Sequence, residues 1–253
     1  MLQPIWLSKP ETAARVRGRI ERVLDAARAK GLRQGENPAR WRGHLDQLLP
    51  RRSKIERQHH AAMPFEAVPG FVEKLRESES VAALALEFSI LCASRTAEVV
   101  EARWGEIDRA AKLWTIPAER MKAGREHRVP LGARALAIVD TAEKIRVGEY
   151  VFPGQLRGKP LSNMAMAMLI RRLGAEAFTV HGFRSSFRDW AGEATSFQRE
   201  VAEAALAHTI GDKAEQAYRR ADALAKRRKL MDAWGGYLGT SDAGSKIVSI
   251  RKR

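Results

Sequence analysis

Two histidines, an arginine and a tyrosine between positions 181 and 218 are the side chains best suited to chemistry: His181-Gly-Phe-Arg184, then Leu206-Ala-His208, then Tyr218. His181 and Arg184 are three apart, so on a helix they share a face, one turn from each other. Tyr218 follows His208 across Gly211 and Asp212, whose types suggest a turn and a new helix start. A guanidinium flanked by two imidazoles is a site for a tetrahedral or pentavalent oxyanion, with phosphate the obvious candidate. A phenol beside it is a potential nucleophile. Taken singly, either histidine also reads as structural and Tyr218 as a core aromatic. Only the combination points to phosphate.

These groups need elements to hold them, and the preceding sequence supplies them. Helices are expected at about 65–76 and 79–92, the second nearly all apolar from Val81 to Leu91 and therefore buried. Arg95-Thr-Ala-Glu98 follows directly, its two charges one turn apart on the next helix. Such an arginine is either a salt-bridged structural group or a functional guanidinium held by the core. The period then changes, and Trp104 to Ile107, Lys112 to Pro117 and Glu126 to Leu131 read as short strands. Asp108-Arg109 and Ala123-Gly124 are their turns. Lys122 stands at the second hairpin tip, where a lysine is commonly just solvated; over a phosphate, its ammonium would be a mobile proton donor. Helices resume at about 132–144, then a basic loop at Arg157-Gly-Lys159, a helix whose Met164 and Met168 read as core filling, and a last amphipathic helix from about Leu224 to Leu238.

The amino-terminal part reads differently. Ser8-Lys9-Pro10-Glu11 looks like a capped helix start, and Val16, Ile20, Val23, Leu24 and Ala27 repeat at helical spacing up to Gly31. Arg15, Arg19 and Arg22 form a basic stripe on it, either a solvated face or a surface laid along a phosphate backbone. A second short helix is expected from Pro38 to Leu49, carrying Arg40 and Arg42. Residues 50–64 are polar, basic and bounded by prolines, which marks a linker; Arg51, Arg52 and Lys54 suit it to run along DNA. His59-His60 lacks further ligands at metal spacing.

Composition bounds the class. With 45% hydrophobic and 30% charged residues, a chain of 253 residues can build a real core in one or two domains. No apolar run approaches the roughly 20 residues of a membrane span, and the start does not read as a signal peptide. The single cysteine, Cys92, reads as a buried thiol in a reducing compartment. The net charge is +15, and residues 1–60 hold 14 basic against 6 acidic side chains, about half the excess in a quarter of the chain. That asymmetry is the footprint of a polyanion, most simply nucleic acid. Gly158-Lys-Pro160 lacks the rest of a nucleotide-binding loop, so nucleotide hydrolysis is unsupported.

Together, Arg95-x-x-Glu98, Lys122, His181-x-x-Arg184, Leu-Ala-His208 and Tyr218 resemble the tyrosine recombinases, in order and spacing. The phrases from Gly35 to Gly43 and from Pro117 to Pro130 are similar to prophage and genomic-island integrases. The resemblance runs from about residue 4 onward. It implies a mainly α catalytic fold with a small antiparallel sheet, over 61–238. Before it would lie a partial helical core-binding piece over 1–60, and after it a tail over 239–253. The implied activity is site-specific recombination through a 3′-phosphotyrosyl link. In it Tyr218 attacks, Arg95 and Arg184 clamp the non-bridging oxygens, His208 donates a further hydrogen bond, Lys122 protonates the leaving 5′-oxygen and His181 assists proton transfer. Loss of either arginine would cost about 3–4 kcal/mol of transition-state stabilisation. No metal or ATP is implied, because the phosphotyrosine stores the bond energy. The implied partner is double-stranded attachment-site DNA, contacted through Arg15, Arg19, Arg22, Arg40, Arg42, Arg51, Arg52 and Lys54. A tetramer on DNA, accessory DNA-bending proteins and a bacterial cytoplasmic, nucleoid location follow from the same resemblance. So does a truncated amino terminus. A remnant that binds DNA without recombining it, a type IB topoisomerase and a non-catalytic helical binder remain the alternatives. A docking role is expected for the Lys246–Ile250 segment.

Overall fold

The computed structural model describes residues 2–50, 61–208 and 223–240. Outside them lie Arg51, Arg52, Lys54, the His59-His60 pair, the expected turn at Gly211-Asp212, Tyr218 and most of the tail. The chain forms two compact units, Met1–Gln58 and His59–Arg253.

The first unit is built on one long helix. A short helix α1 (Gln3–Trp6) leads into α2 (Pro10–Ala29). The cap of α2 is Lys9, not Ser8, because the Ser8 hydroxyl is turned back to donate to the Pro4 carbonyl. Proline at the first helical position supplies the start instead, its missing N–H being one the helix could not use. Gly31 ends the run with φ +70°, as its type predicts. The apolar face of α2 is covered only in part; Val23 is 66% exposed. Asn37 ties the following loop to the helix, donating to the Glu21 carbonyl (2.8 Å) and to Asp25 (2.6 Å). The expected helix from Pro38 to Leu49 does not form. Arg42 is extended and Gly43 has φ 71°, so the segment kinks and only α3 (Asp46–Leu48) is regular. Trp6 closes the unit, its indole donating to the Pro50 carbonyl and its ring 5.4 Å from that of Trp41.

The second unit is mainly α with a small antiparallel sheet. Helix α4 (Val68–Arg76) packs on α5 (Val81–Leu91), which Ser80 caps by accepting from the Ala83 N–H. Helix α5 lies in the centre of the core, buried on nearly every side. Its one charge, Glu87, is held by Arg76 (2.7 Å) and by both ends of the Arg134 guanidinium (2.8 and 2.7 Å), which a buried carboxylate requires. After α6 (Thr96–Val100) come β1 (Ile107–Asp108), β2 (Leu113–Ile116) and β3 (His127–Pro130), paired in the order β1-β2-β3. Trp114 opposes Val129 and Ile116 opposes His127. The strand expected from Trp104 shortens to β1, because Trp104–Glu106 is a 3₁₀ turn whose Glu106 carboxylate folds back onto the Arg103 N–H.

Helices α7 (Ala133–Lys144), α8 (Ala165–Arg172), α9 (Gly182–Glu193), α10 (Arg199–Ala205) and α11 (Leu224–Tyr237) complete the unit. Met164 and Met168 are exposed (53% and 38%), so they do not fill the core; Met166, between them on the opposite face of α8, does. Phe187 and Trp190 of α9 meet Trp234 of α11, the two indole rings 4.9 Å apart. That aromatic seam fixes α9 against α11. The segment entering the unit is stitched to α9 as well. Thr179 donates to the Ala61 carbonyl, the Ser186 hydroxyl donates to the Met63 carbonyl, and Gly182 lies so close that a Cβ there would stand 2.9 Å from the Ala62 Cα.

Candidate phosphate-binding site

Two helices of the second unit end in the same way, and their ends bring the charged residues together. Past α5, Ala93 adopts φ 48°; its N–H donates to the Ile90 carbonyl and the Ser94 N–H to that of Ser89. Past α10, Ala207 adopts φ 50°; its N–H donates to Ala204 and the His208 N–H to Glu203. Both are six-to-one and five-to-two reversals that satisfy the last carbonyls, with alanine where glycine is usual. The first reversal delivers Arg95, the second His208.

Arg184, one turn into α9 and 5% exposed, joins the two reversals. Its guanidinium donates to the Ala93 carbonyl, to the Leu206 carbonyl (2.6 Å) and to Nε2 of His208 (3.3 Å). Its buried Nε has no hydrogen-bond partner among the described residues. Burial, and then the charge of Arg95, lower the Arg184 pKa to about 10, with Glu98 and Glu203 opposing. The residue remains a cation at neutral pH, but one that an added anion would relieve.

Arg95 is the N-cap residue of α6. Its backbone N–H donates to Glu98 Oε2 (2.9 Å) and its guanidinium to Glu98 Oε1 (2.7 Å), and the Glu98 side chain is only 4% exposed. One carboxylate thus fixes both the backbone and the head of this arginine. Lys122 comes from the broad turn between β2 and β3, where buried Met121 anchors the chain and Gly124 reverses it with φ +62°. Arg120 braces that turn, donating to the Glu98 carbonyl (2.5 Å) and to Glu106, which also accepts from the Trp114 indole (3.0 Å). Arg95, Lys122 and His208 then line one open cavity of about 510 Å³, together with Ala123, Glu203 and Ala207.

His208 is set by its other nitrogen. Nδ1 lies 2.6 Å from Glu203 Oε2, and since a carboxylate only accepts, Nδ1 carries the proton and Nε2 accepts from Arg184. Burial raises the Glu203 pKa, but the hydrogen bond from His208 and the charge of Arg188 outweigh it and leave the group lowered. His181 is the exposed N-cap residue of α9, one turn ahead of Arg184.

Residues 62–224 match the family described as the phage integrase family, and residues 1–44 match the phage integrase central domain. The chain belongs to the phage integrase family. Among its relatives, prophage integrase IntZ of Escherichia coli K12 is 32% identical over 97% of this chain and 60% of that protein. Prophage integrase IntA of the same organism is 37% identical over 64% of this chain and 40% of that protein. The chain thus spans about half the length of the curated relatives it matches. The fold is shared with a lambda integrase (75-356) dimer bound to a COC′ core site, at TM-score 0.55 and 19% identity, over 81% of this chain and 76% of that one. A lambda integrase tetramer bound to a Holliday junction aligns at TM-score 0.56 and 20% identity, over 83% and 59%.

In this integrase-family chain the basic residues of the first unit fall into two groups. Arg15, Arg19 and Arg22 line an open hollow along α2 with Ala14, Gly18 and Glu21. Arg15 pairs with Glu11 (2.9 Å) and Arg22 bonds the Gly18 carbonyl, so two of the three heads are steered by the helix itself. Arg40 is paired with Glu36 (2.8 Å), whereas Arg42 is exposed.

Two groups beside the site are not foreseeable from the sequence. Glu203 lies five residues before His208, a spacing that shares no helical face; the left-handed Ala207 folds the imidazole back onto it. His127 donates Nε2–H to the Ala205 carbonyl (3.2 Å) and so ties β3 to α10. Burial, then the charge of Arg227, push its pKa down to about 4. Neither pairing has a signal in the linear sequence.

Proposed function

We propose that this chain carries the catalytic part of a site-specific DNA recombinase, acting through a 3′-phosphotyrosyl intermediate. The observation that carries the reading is the buried Arg184, its Nε unpartnered among the described residues, beside the open cavity that Arg95, Lys122 and His208 line. Cations brought together at a cost of mutual repulsion and desolvation fit an anion that develops further charge as it reacts. Family membership makes a DNA phosphodiester that anion.

In this reading the phenolic oxygen of Tyr218 attacks the phosphorus and the bond from phosphorus to the 5′-oxygen breaks. The leaving oxygen takes a proton from the Lys122 ammonium, while the phenol loses its own with the help of His181. Arg95 and Arg184 hold the non-bridging oxygens, and His208 adds a hydrogen bond. Attack by a 5′-hydroxyl on the phosphotyrosine reverses the step and rejoins the strand without an external energy source. Residues 61–238 act as the catalytic domain, and the basic residues of 1–60 grip the duplex. On DNA the protein assembles as a tetramer, as the lambda neighbour does on its junction, with DNA-bending proteins as accessory partners and the Lys246–Ile250 segment of the tail docking on an adjacent subunit or back onto its own sheet.

Covalent trapping tests the reading. The protein is mixed with nicked duplexes drawn from the DNA flanking its gene, denatured, and searched for a DNA-linked band, with Tyr218→Phe as control. The expected band forms with wild type, disappears in the variant and maps to Tyr218. DNA binding without an adduct, for this chain and for a full-length relative on its own flanking DNA, would replace the recombinase with a binding module.

A further inference from the structure

We infer that Glu203 is a positioning residue for His208, one that fixes the imidazole tautomer and aims Nε2 at Arg184 and the phosphate site. The inference rests on the recombinase reading for its consequence, but the contact itself does not.

The geometry is specific. Glu203 lies in the last turn of α10 and is 8% exposed. Its Oε2 takes the Nδ1 proton of His208 at 2.6 Å, while Oε1 takes the Arg188 Nε–H at 2.7 Å, with Arg199 farther off at 3.8 Å. The two carboxylate oxygens therefore serve different partners, and the one bound to His208 has no other protein partner among the described residues. The reversal at Ala207 also binds the His208 N–H to the Glu203 carbonyl, so backbone and side chain of one residue hold the other by two bonds. Without the carboxylate, only the long Arg184 contact at 3.3 Å, from a nitrogen that also serves the Leu206 carbonyl, favours the proton on Nδ1, and the ring is free to turn away from it.

The consequence is chemical. As the site stands, Nε2 presents a lone pair to Arg184 and cannot donate to a phosphate oxygen. To donate to a phosphate oxygen, as the proposed function asks of it, the ring must carry a proton on both nitrogens. The Glu203 carboxylate, already on Nδ1, then faces an imidazolium rather than a neutral ring, and the pair is strengthened by charge. The same logic makes carboxylate partners of active-site histidines worth far more than a surface ion pair.

The test uses the whole chain, with single-turnover cleavage of a nicked duplex as one readout and the His208 ring nitrogens in ¹⁵N NMR as the other. His208→Ala identifies the signals. In wild type the free protein should show a protonated Nδ1 and an unprotonated Nε2; in Glu203→Ala the neutral ring should shift toward the Nε2–H form. Cleavage should fall roughly tenfold to a hundredfold in Glu203→Ala, and Glu203→Ala should cost nothing further in the His208→Ala background. Glu203→Gln, whose amide oxygen still accepts from Nδ1, should restore the tautomer and only part of the rate. Duplex binding and thermal melting report whether each variant is folded. An unchanged tautomer in a folded Glu203→Ala, or a rate loss equal in both backgrounds, would overturn the inference. So would Arg188→Ala reproducing both effects, since the carboxylate would then be a tie between α9 and α10. If wild type gave no Tyr218-linked product, the recombinase reading would fail while the tautomer still judged the contact.

Discussion

At the scale of single residues, Arg184 shows why a guanidinium is needed. It reaches two backbone carbonyls and an imidazole from one planar head and still holds an Nε uncommitted among the described residues, which a lysine ammonium could not match in direction. Neighbouring His127 carries a measurable signature of the same crowding. Its pKa falls from 6.5 to about 4 in the folded chain, so below pH 6.5 the unfolded chain binds a proton that the folded chain refuses. Its contribution is whole above pH 6.5 and is lost as the pH falls toward 4, at most on the order of 3 kcal/mol. Replacing it by glutamine, which keeps a donor for the Ala205 carbonyl, should flatten the dependence of urea-unfolding free energy on pH between 6.5 and 4. An equally steep dependence in His127→Gln would assign the acid sensitivity to other groups.

At the scale of elements, the site depends on how helix ends meet. Gly182 opens α9 directly against the incoming segment, and a methyl group there would drive into the Ala61 carbonyl and the Ala62 Cα. Backbone lies on both sides and has little room to yield. Gly182→Ala is expected to lower stability by about 1–3 kcal/mol, read as a lower midpoint in urea, whereas Gly192→Ala, with open space at its Cβ, should not. Most of these elements were legible beforehand. The apolar run of α5, the hairpin pair and α11 all follow from period and end signals, and the mainly α fold with its small sheet follows from them. What was not legible came from chain reversals that carry no glycine. Ala93 and Ala207 look like ordinary helix residues in sequence, so the fold-back that sets His208 on Glu203 leaves no trace. The kink at Gly43 was missed for the opposite reason: helix formers surround it, and the loop ties made by Asn37 and Trp6 override them.

At the scale of the whole molecule, the net charge of +15 in 253 residues sets the response to salt. Each phosphate neutralised on duplex DNA contributes about 0.9 to the slope of log affinity against log salt. Replacing Arg15, Arg19 and Arg22 together by alanine should therefore lower that slope by up to about 3 and weaken binding alike on all sequences, as measured by anisotropy on two unrelated duplexes. An unchanged slope would make the stripe on α2 a solvated face. None of the described helices is long and apolar enough to cross a membrane.

The left-handed alanines at 93 and 207 also set limits on the alphabet of the chain. An L-residue in that conformation costs roughly 1–2 kcal/mol, and a β-branched side chain more. Ala93, 1% exposed, leaves room for glycine and little else, while Ala207, partly open to the cavity, can also take asparagine. Variation at these two positions is thus narrowed to a few small residues although neither side chain carries a charge or a proton. Ala207→Val would disturb the proposed site without touching any of its charged groups, by swinging His208 off its carboxylate.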